Sequence, residues 1–274
     1  MREGGIVLVK HILTIAGSDS TGGGGFEADL RTFQEYELFG YSAVTCIVTI
    51  QHEKEVDIYP IPTEVLDKQL QTLLDSSVNL PYIKVGMLGS LENVTWFSQF
   101  IQEHPNQQFI IDPVFSFKET GSYLKGQTDI VSFYQQEILP HTFLTTPNLL
   151  EASLLAEMPP LTSESEMKEA AEKIWQLGVQ HVVIKGGTRM AGEEAVDLYY
   201  DGQHFQFFRL PKLTTNRING AGCTFASAIT ARLAQEATPA VAIKDAKEFV
   251  HQSIQGGQPF YQQIGNVWQG ANRS

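Results

Sequence analysis

Short apolar runs without in–out alternation recur along this chain, each followed by residues at helical spacing, and that recurrence most narrows its fold. Residues 11–16, 42–50, 83–87, 109–114, 143–145 and 181–184 are such runs. A strand that is apolar on successive residues is covered on both faces, the condition of a parallel sheet between helix layers. The intervening stripes supply the helices. Phe26, Leu30 and Phe33, then Leu66, Leu70, Leu73 and Leu74, then Val94, Phe97 and Ile101 share helix faces. Met167, Ala170, Ala171, Ile174 and Trp175 form another stripe, opened by a capping-box pattern from Ser163 to Glu166. Residues 197–200 and 204–208, joined around Asp201-Gly202, read instead as a hairpin. A last helix is capped by Thr238-Pro239 and buries Ala246, Phe249 and Val250. The expected architecture is three-layer α/β/α with a mostly parallel central sheet.

No Pro/Gly/Ser linker, charge block, low-complexity tract or internal repeat divides the chain, so residues 1–274 are read as a single domain. With 19 Lys plus Arg against 31 Asp plus Glu, the formal charge is -12. That balance excludes nucleic acid and anionic membrane surfaces as general partners, while leaving room for a local basic pocket around a phosphorylated ligand. Cys46 and Cys223 provide neither metal-ligand spacing nor a disulfide framework, which fits a reducing cytosol. Lys10 and His11 interrupt the apolar residues near the start, and no cleavage site follows at signal-peptide spacing. No stretch reaches the roughly 18 uninterrupted apolar residues of a membrane span. A soluble, cytoplasmic protein is expected.

The segment Asn219-Gly220-Ala221-Gly222-Cys223-Thr224-Phe225 is a small-residue turn entering a helix whose apolar face carries Phe225, Ala228, Ile229 and Leu233. The free N–H groups of a first helical turn favour an anion such as phosphate. A thiol at the same helix end has its thiolate favoured, which would make Cys223 a base or a nucleophile. Read alone, the segment also fits an ordinary loop-to-helix join with a buried cysteine.

Ligands of a parallel α/β sheet bind beyond the carboxyl ends of the strands. Those positions here hold Asp19, Gly86-Met87, Asp112-Pro113, Asn148 with Glu151, and Lys185-Gly186-Gly187. Two carboxylates, an amide and a lysine at one sheet edge suit a magnesium nucleotide. Mg²⁺ takes oxygen ligands and keeps several waters, so Asp112, Asn148 and Glu151 would hold it partly through water, and Lys185 would balance phosphate charge. Each also has a plainer reading: Asp112 as a turn cap, Asn148 and Glu151 as a helix start, Lys185 as a solvated strand end.

Taken in order from about Ile12 to Ala234, these residues resemble the ribokinase-like vitamin kinases. The resemblance is carried by Gly17-Ser18-Asp19-Ser20 with the glycines at 22–25, Ala28-Asp29-Leu30, Gly86-Met87-Leu88, Asp112-Pro113-Val114 and Thr146-Pro147-Asn148 with Glu151. Lys185-Gly186-Gly187, Asp197-Leu198-Tyr199 and Gly220-Ala221-Gly222-Cys223-Thr224-Phe225 complete it. The similar branch contains hydroxymethylpyrimidine (phosphate) kinases and bacterial pyridoxal kinases, which carry a cysteine where sugar kinases carry an aspartate base. It implies a ribokinase-like fold with a small lid and ATP-dependent transfer to a hydroxymethyl group. The anion hole would comprise Gly220, Ala221, Gly222 and Cys223, with Lys185 as a further catalytic group. It further implies Asp112, Asn148 and Glu151 for magnesium, and Asn148, Glu151, Lys185, Gly187, Asp197 and Asn219 for the nucleotide. Gly17, Asp19, Asp29, Val48, Ile50, Met87 and Val114 would bind the substrate ring. Homodimers are common among the resembling kinases.

Ile50 stands where pyrimidine kinases usually carry Gln or Glu. An unpaired substrate amine in a buried pocket costs about 1–3 kcal/mol, roughly tenfold or more against the pyrimidine, so pyridoxal is the favoured substrate and hydroxymethylpyrimidine the alternative. Two departures from the family pattern stand out. Asn219 replaces the usual His, preceded by Ile218 where Thr or Asn is usual, so a Cys-His relay cannot operate. Phe117 stands where some pyridoxal kinases carry a second, lid cysteine; the lid is expected over residues 115–128, with Lys118, Gly121 and Gly126. Two readings from other classes remain at this level: a Cys223-dependent hydrolase, and a vitamer-binding protein weakened in catalysis.

Overall fold

The computed structural model describes residues 2–3, 6–7, 9–51, 55–117, 122–123, 127–261 and 264–273. Its centre is a nine-stranded sheet. The strands are β1 (His11–Asp19), β2 (Phe39–Gln51), β3 (Glu55–Pro60), β4 (Tyr82–Val85), β5 (Gln108–Ile111), β6 (Leu144–Thr145), β7 (His181–Lys185), β8 (Glu194–Tyr200) and β9 (Phe205–Pro211). They lie in the order β9-β8-β7-β6-β5-β4-β1-β2-β3. The stretch from β7 to β2 is parallel throughout. Antiparallel pairs close both edges, β3 on one side and the β8–β9 hairpin on the other.

The helices are α1 (Gly25–Glu35), α2 (Thr63–Leu74), α3 (Leu91–Glu103), α4 (Gln127–Phe133), α5 (Leu149–Leu155), α6 (Glu164–Gln176), α7 (Ala221–Ala234) and α8 (Pro239–Gln255). Alternate strand residues feed two different layers. Leu13, Ile15, Ile83, Val85 and Ile111 pack with Leu70, Phe97, Ile130, Ala152 and Met167 of α2 to α6. Ile110, Leu144 and Val183 pack with Phe225 and Ile229 of α7 and with Ile243 and Phe249 of α8. Ile12 packs with Phe33 of α1 and Ala231 of α7. Burying each such side chain contributes about 1.5–3 kcal/mol. Every central strand therefore gains from both faces, the reason its sequence shows no alternation. The expected three-layer architecture is the one observed.

The differences are local. β1 runs on to Asp19 and β2 starts at Phe39, so both strands are longer than their apolar runs. Edge strand β3 has no counterpart in the sequence reading; Val56 and Ile58 pack inward, against Cys46, Val48 and Met87, and the remainder is Glu55, Asp57, Tyr59 and Pro60. α4 and the single π-helical turn after it, Tyr134–Ile138, likewise have no counterpart in the apolar pattern of the sequence. The Ser163–Glu166 capping box is present. Pro239 opens α8, but the Thr238 side chain makes no cap bond. Of the expected lid, Ser116–Phe117 pairs antiparallel with Ser122–Tyr123, while Lys118, Gly121 and Gly126 lie outside the described residues.

Candidate active site

The carboxyl ends of the parallel strands open onto two cavities that share Asn148, Lys185 and Gly222 in their walls. The smaller, about 200 Å³, is bounded by Gly17, Asp19, Val48, Lys84, Met87, Asp112, Val114, Glu151, Gly220 and Cys223. The larger, about 310 Å³, runs over Gly187, Asp197, Ile218, Ala221, Phe225 and Lys247. The start of α7 lies between them. Gly220 turns the chain into that helix with a φ of 87°, a conformation that a residue with a Cβ rarely adopts. The Ala221 N–H is taken by the Ile218 carbonyl, so it is the following N–H groups of the first turn that are available to an anion. A side chain at Gly222 would stand 3.5 Å from Lys185 Nζ and 3.8 Å from Asp112 Oδ2, so helix start, lysine and carboxylate converge.

Lys185 Nζ donates to Asp112 Oδ1 at 2.6 Å, and Thr146 Oγ1 donates to the same oxygen at 3.0 Å. Burial alone would raise the Asp112 pKa, but Lys185 and then Lys84 overcome it and hold the carboxyl below its usual range. Glu151 has the opposite balance. Burial pushes it up to about 7, with the neighbouring Asp112 charge adding to the rise and Lys185 opposing it. Asn148 caps α5: its Oδ1 accepts from Leu150 N and Glu151 N, and Glu151 Oε2 accepts from Asn148 N. The plainer reading of this pair, a helix start, is thus realised, and two N–H groups already occupy the Asn148 oxygen. Asp112 and Glu151 keep oxygen atoms at the cavity. Among the described residues no cluster of three or more His, Cys, Asp and Glu side chains could hold an ion. A pair of carboxylates without a full cage fits a magnesium ion that arrives with phosphates and water.

Gly17, Val48, Met87 and Val114 line the smaller cavity as expected. Asp19 lies there too, but its carboxylate is engaged, accepting from Thr21 N, Thr21 Oγ1 and Gly24 N. Two expected ring contacts are not at the wall. Asp29 is fully buried and accepts from Thr14, Lys84 and Ser227; Ile50 packs on Cys46, Val48 and Met87. Asp197 reaches the larger cavity while accepting from Gly186 N and from Lys247 at 2.6 Å. Asn219 faces the smaller cavity with its amide bonded to Thr21 and Asn266.

Cys223 is half-buried, facing the glycine loop. The helix-end argument predicts a lowered pKa; instead desolvation pushes the thiol up to about 11, outweighing Lys84 and the Gly25 N–H, which lower it. Among the described residues no histidine lines this cavity. The sequence reading missed Lys84, Lys247 and Asn266. Lys84 sits inside an apolar run, Lys247 mid-helix and Asn266 in a two-residue strand, Gly265–Asn266, so the sequence pattern marks none of them.

A mostly parallel sheet with antiparallel edges, helices on both faces and a glycine-turned helix start at its carboxyl edge is an α/β protein of ribokinase-like fold. Residues 19–268 match the phosphomethylpyrimidine kinase family, and the chain belongs to it. It is 38% identical over 255 residues to the pyridoxine kinase of Bacillus subtilis, covering 92% of this chain and 93% of that one. It is 35% identical over 248 residues to the hydroxymethylpyrimidine/phosphomethylpyrimidine kinase of Bacillus subtilis, covering 90% of each. The pyridoxal kinase of Staphylococcus aureus in complex with AMP-PCP and pyridoxal superposes with a TM-score of 0.89 at 38% identity, covering 97% of this chain and 96% of that one.

Proposed function

We propose that this chain is an ATP-dependent kinase that phosphorylates the hydroxymethyl group of pyridoxal and related B6 vitamers, giving pyridoxal 5'-phosphate. The observation that carries this reading is the pair of cavities meeting at Lys185 and Gly222, the smaller with an apolar side of Val48, Met87 and Val114 facing Asp112, Lys185 and Cys223, the larger running along Gly187, Asp197 and the start of α7. The vitamer ring would sit between Val48, Met87 and Val114, its hydroxymethyl group directed at Cys223. The nucleotide would lie along Gly187, Asp197, Ala221 and Phe225, with the amide of Asn148 at its phosphates.

Phosphoryl transfer needs positioning and charge neutralisation more than covalent chemistry. The N–H groups at the start of α7 and the Lys185 ammonium would take up charge on the transferring group. Cys223, as thiolate, would accept the hydroxyl proton as the new O–P bond forms. Asp112 and Glu151 would hold magnesium, which when bound supplies charge neutralisation at the phosphates. A protein that only binds the vitamer has no use for Asp112, Glu151 and Lys185 beside an anion site.

The second reading, a hydroxymethylpyrimidine kinase, is supported by the family match and the 35% identical relative. Against it stand the apolar side chains of Val48, Met87 and Val114 and the engaged carboxylate of Asp19, which offer a ring amine little. An assay of ADP release with pyridoxal, pyridoxine and hydroxymethylpyrimidine tests the choice: a kcat/KM higher for the pyrimidine would overturn it. We place the enzyme in the cytoplasm, a location consistent with unpaired Cys46 and Cys223. A homodimer has a candidate face in the edge pair Ile47 and Tyr59, cross-strand neighbours 43% and 55% exposed. Light scattering of Tyr59→Arg tests that face, a mass unchanged from wild type counting against it.

A further inference from the structure

Lys84 lies at 0% exposure in the middle of β4. Its ammonium donates to Asp29 Oδ2 at 2.9 Å. Asp29, equally buried on α1, also accepts from Thr14 Oγ1 at 2.6 Å and from Ser227 Oγ at 2.6 Å. The four groups come from β1, α1, β4 and α7, and Ser227 lies one helical turn beyond Cys223. A buried ion pair is often no more stabilising than an apolar pair of the same volume, so fold stability alone gives no reason to keep one here.

Two further observations give it another purpose. Lys84 lines the same cavity as Cys223, Asp112 and Lys185, and an ammonium has three N–H donors, of which the bond to Asp29 uses one. Gly86, two residues on along the same strand face, leaves the space the ammonium fills: a Cβ there would stand 2.8 Å from Lys84 Nζ. Gly86 has no positive φ, so it is room for Lys84, not backbone conformation, that a glycine supplies.

We propose that Lys84 is a positioning residue for the phosphoryl transfer: clamped by Asp29, its ammonium fixes a positive charge under the start of α7 and favours the thiolate of Cys223. This rests on the reading of Cys223 as proton acceptor. The step it serves is balanced: the substrate hydroxyl passes its proton to the Cys223 thiolate, its oxygen bonds the γ-phosphorus, and the γ-phosphorus–oxygen bond to ADP breaks. Cys223 is faced by the cations Lys84 and Lys185, by the anions Asp29 and Asp112, and by the Gly25 N–H. Lys84 is the largest of the influences on Cys223 that favour the thiolate.

The test compares wild type, Lys84→Met and the neutral double variant Lys84→Met/Asp29→Asn, which avoids stranding a buried carboxylate. Alkylation of Cys223 by iodoacetamide, without ligand near about pH 8.5, is followed by peptide mass spectrometry so that Cys46 does not contribute. The thiolate is the reacting form. The expected result is a rate lower by about tenfold in Lys84→Met and a smaller decrease in the double variant, with kcat falling by about tenfold or more and the KM for ATP little changed. A folded double variant with wild-type alkylation and kcat would overturn the proposal. A Cys223→Ala enzyme with unchanged kcat would instead overturn the proton-acceptor reading, and the alkylation rates keep the two failures apart.

Discussion

Asn219 Nδ2 donates to Asn266 Oδ1 at 2.8 Å and to Thr21 Oγ1 at 3.0 Å. Asn266 Nδ2 in turn donates to the Thr21 carbonyl at 2.9 Å, and Asn219 N bonds Gly265 O while Val267 N bonds Asn219 O. The residue that replaces the family histidine is thus a tie between the Gly220 turn into α7, the glycine loop after β1 and the C-terminal segment. Its amide positions backbone and relays no proton. Asn219→Ala and Asn266→Ala should each cost about 1 kcal/mol of stability, with a coupling of similar size in a double-mutant cycle measured by urea unfolding. Additive losses would show that the two amides do not act together.

Gly220 has a more severe constraint. Its φ of 87° is in the left-handed region, and a Cβ there would run into the Gly23 carbonyl oxygen. Gly187 also has a positive φ, but nothing stands within 4 Å of where its Cβ would be. Gly220→Ala should therefore displace the turn and lower kcat by about a hundredfold or more, whereas Gly187→Ala should cost only about 1 kcal/mol of backbone strain. Steady-state kinetics beside thermal melts of the two variants separates strain from collision.

Lys185 and Asp112 make a pair whose loss can be split into stability and catalysis. Lys185→Met leaves the Asp112 carboxylate, 2% exposed, without its 2.6 Å partner, at an expected cost of about 3–5 kcal/mol. Lys185→Met/Asp112→Asn removes both charges and should regain most of that stability, yet kcat should stay down by about a hundredfold or more. The pair also sets an acid limit. Because the folded pKa of Asp112 is depressed, its contribution is present above the unfolded value of about 3.9 and is lost as pH falls through the folded one. Denaturant titrations at falling pH should show that decline in wild type and lessen it in the double variant.

How much of this was legible beforehand depends on what kind of signal each residue leaves. Doubly buried strands announce themselves by continuous apolar runs, so the central sheet and its layers could be read, whereas β3 buries only Val56 and Ile58 and leaves a two-residue trace. Strand-end residues such as Asp112 and Lys185 could be located because topology sends their side chains to one edge. The resemblance to the vitamin kinases puts Asp29 at the ring, whereas its carboxylate lies in a buried network with Thr14, Lys84 and Ser227. Partners that meet through tertiary packing, such as Lys84 with Asp29 and Asn219 with Asn266, have no shared spacing in the chain. The Cys223 pKa departs from the helix-end expectation for a related reason: a helix end is visible in sequence, and the desolvation that outweighs it is not.

That raised pKa gives the proton-acceptor reading a pH signature. Enclosure pushes Cys223 up to about 11, so at pH 7 the thiolate is roughly one part in ten thousand, and its population rises about tenfold per pH unit until the pKa is reached. If the thiolate accepts the hydroxyl proton, kcat at saturating substrates should climb with pH between about 7 and 9. In Cys223→Ala the climb should vanish and kcat should fall by about a hundredfold or more, with the KM for ATP little changed. Folding opposes the benefit at the alkaline end. The thiol ionises more readily when unfolded than in the folded site, so its contribution to stability is fully present below the unfolded value of about 8.5 and is lost as pH rises toward 11. Stopped-flow rates separate the two effects, because transfer is complete before the protein unfolds. A wild-type profile that is flat from about pH 7 to 9 and superposes on that of Cys223→Ala would remove the cysteine from the chemistry and leave the anion hole and Lys185 to account for the rate.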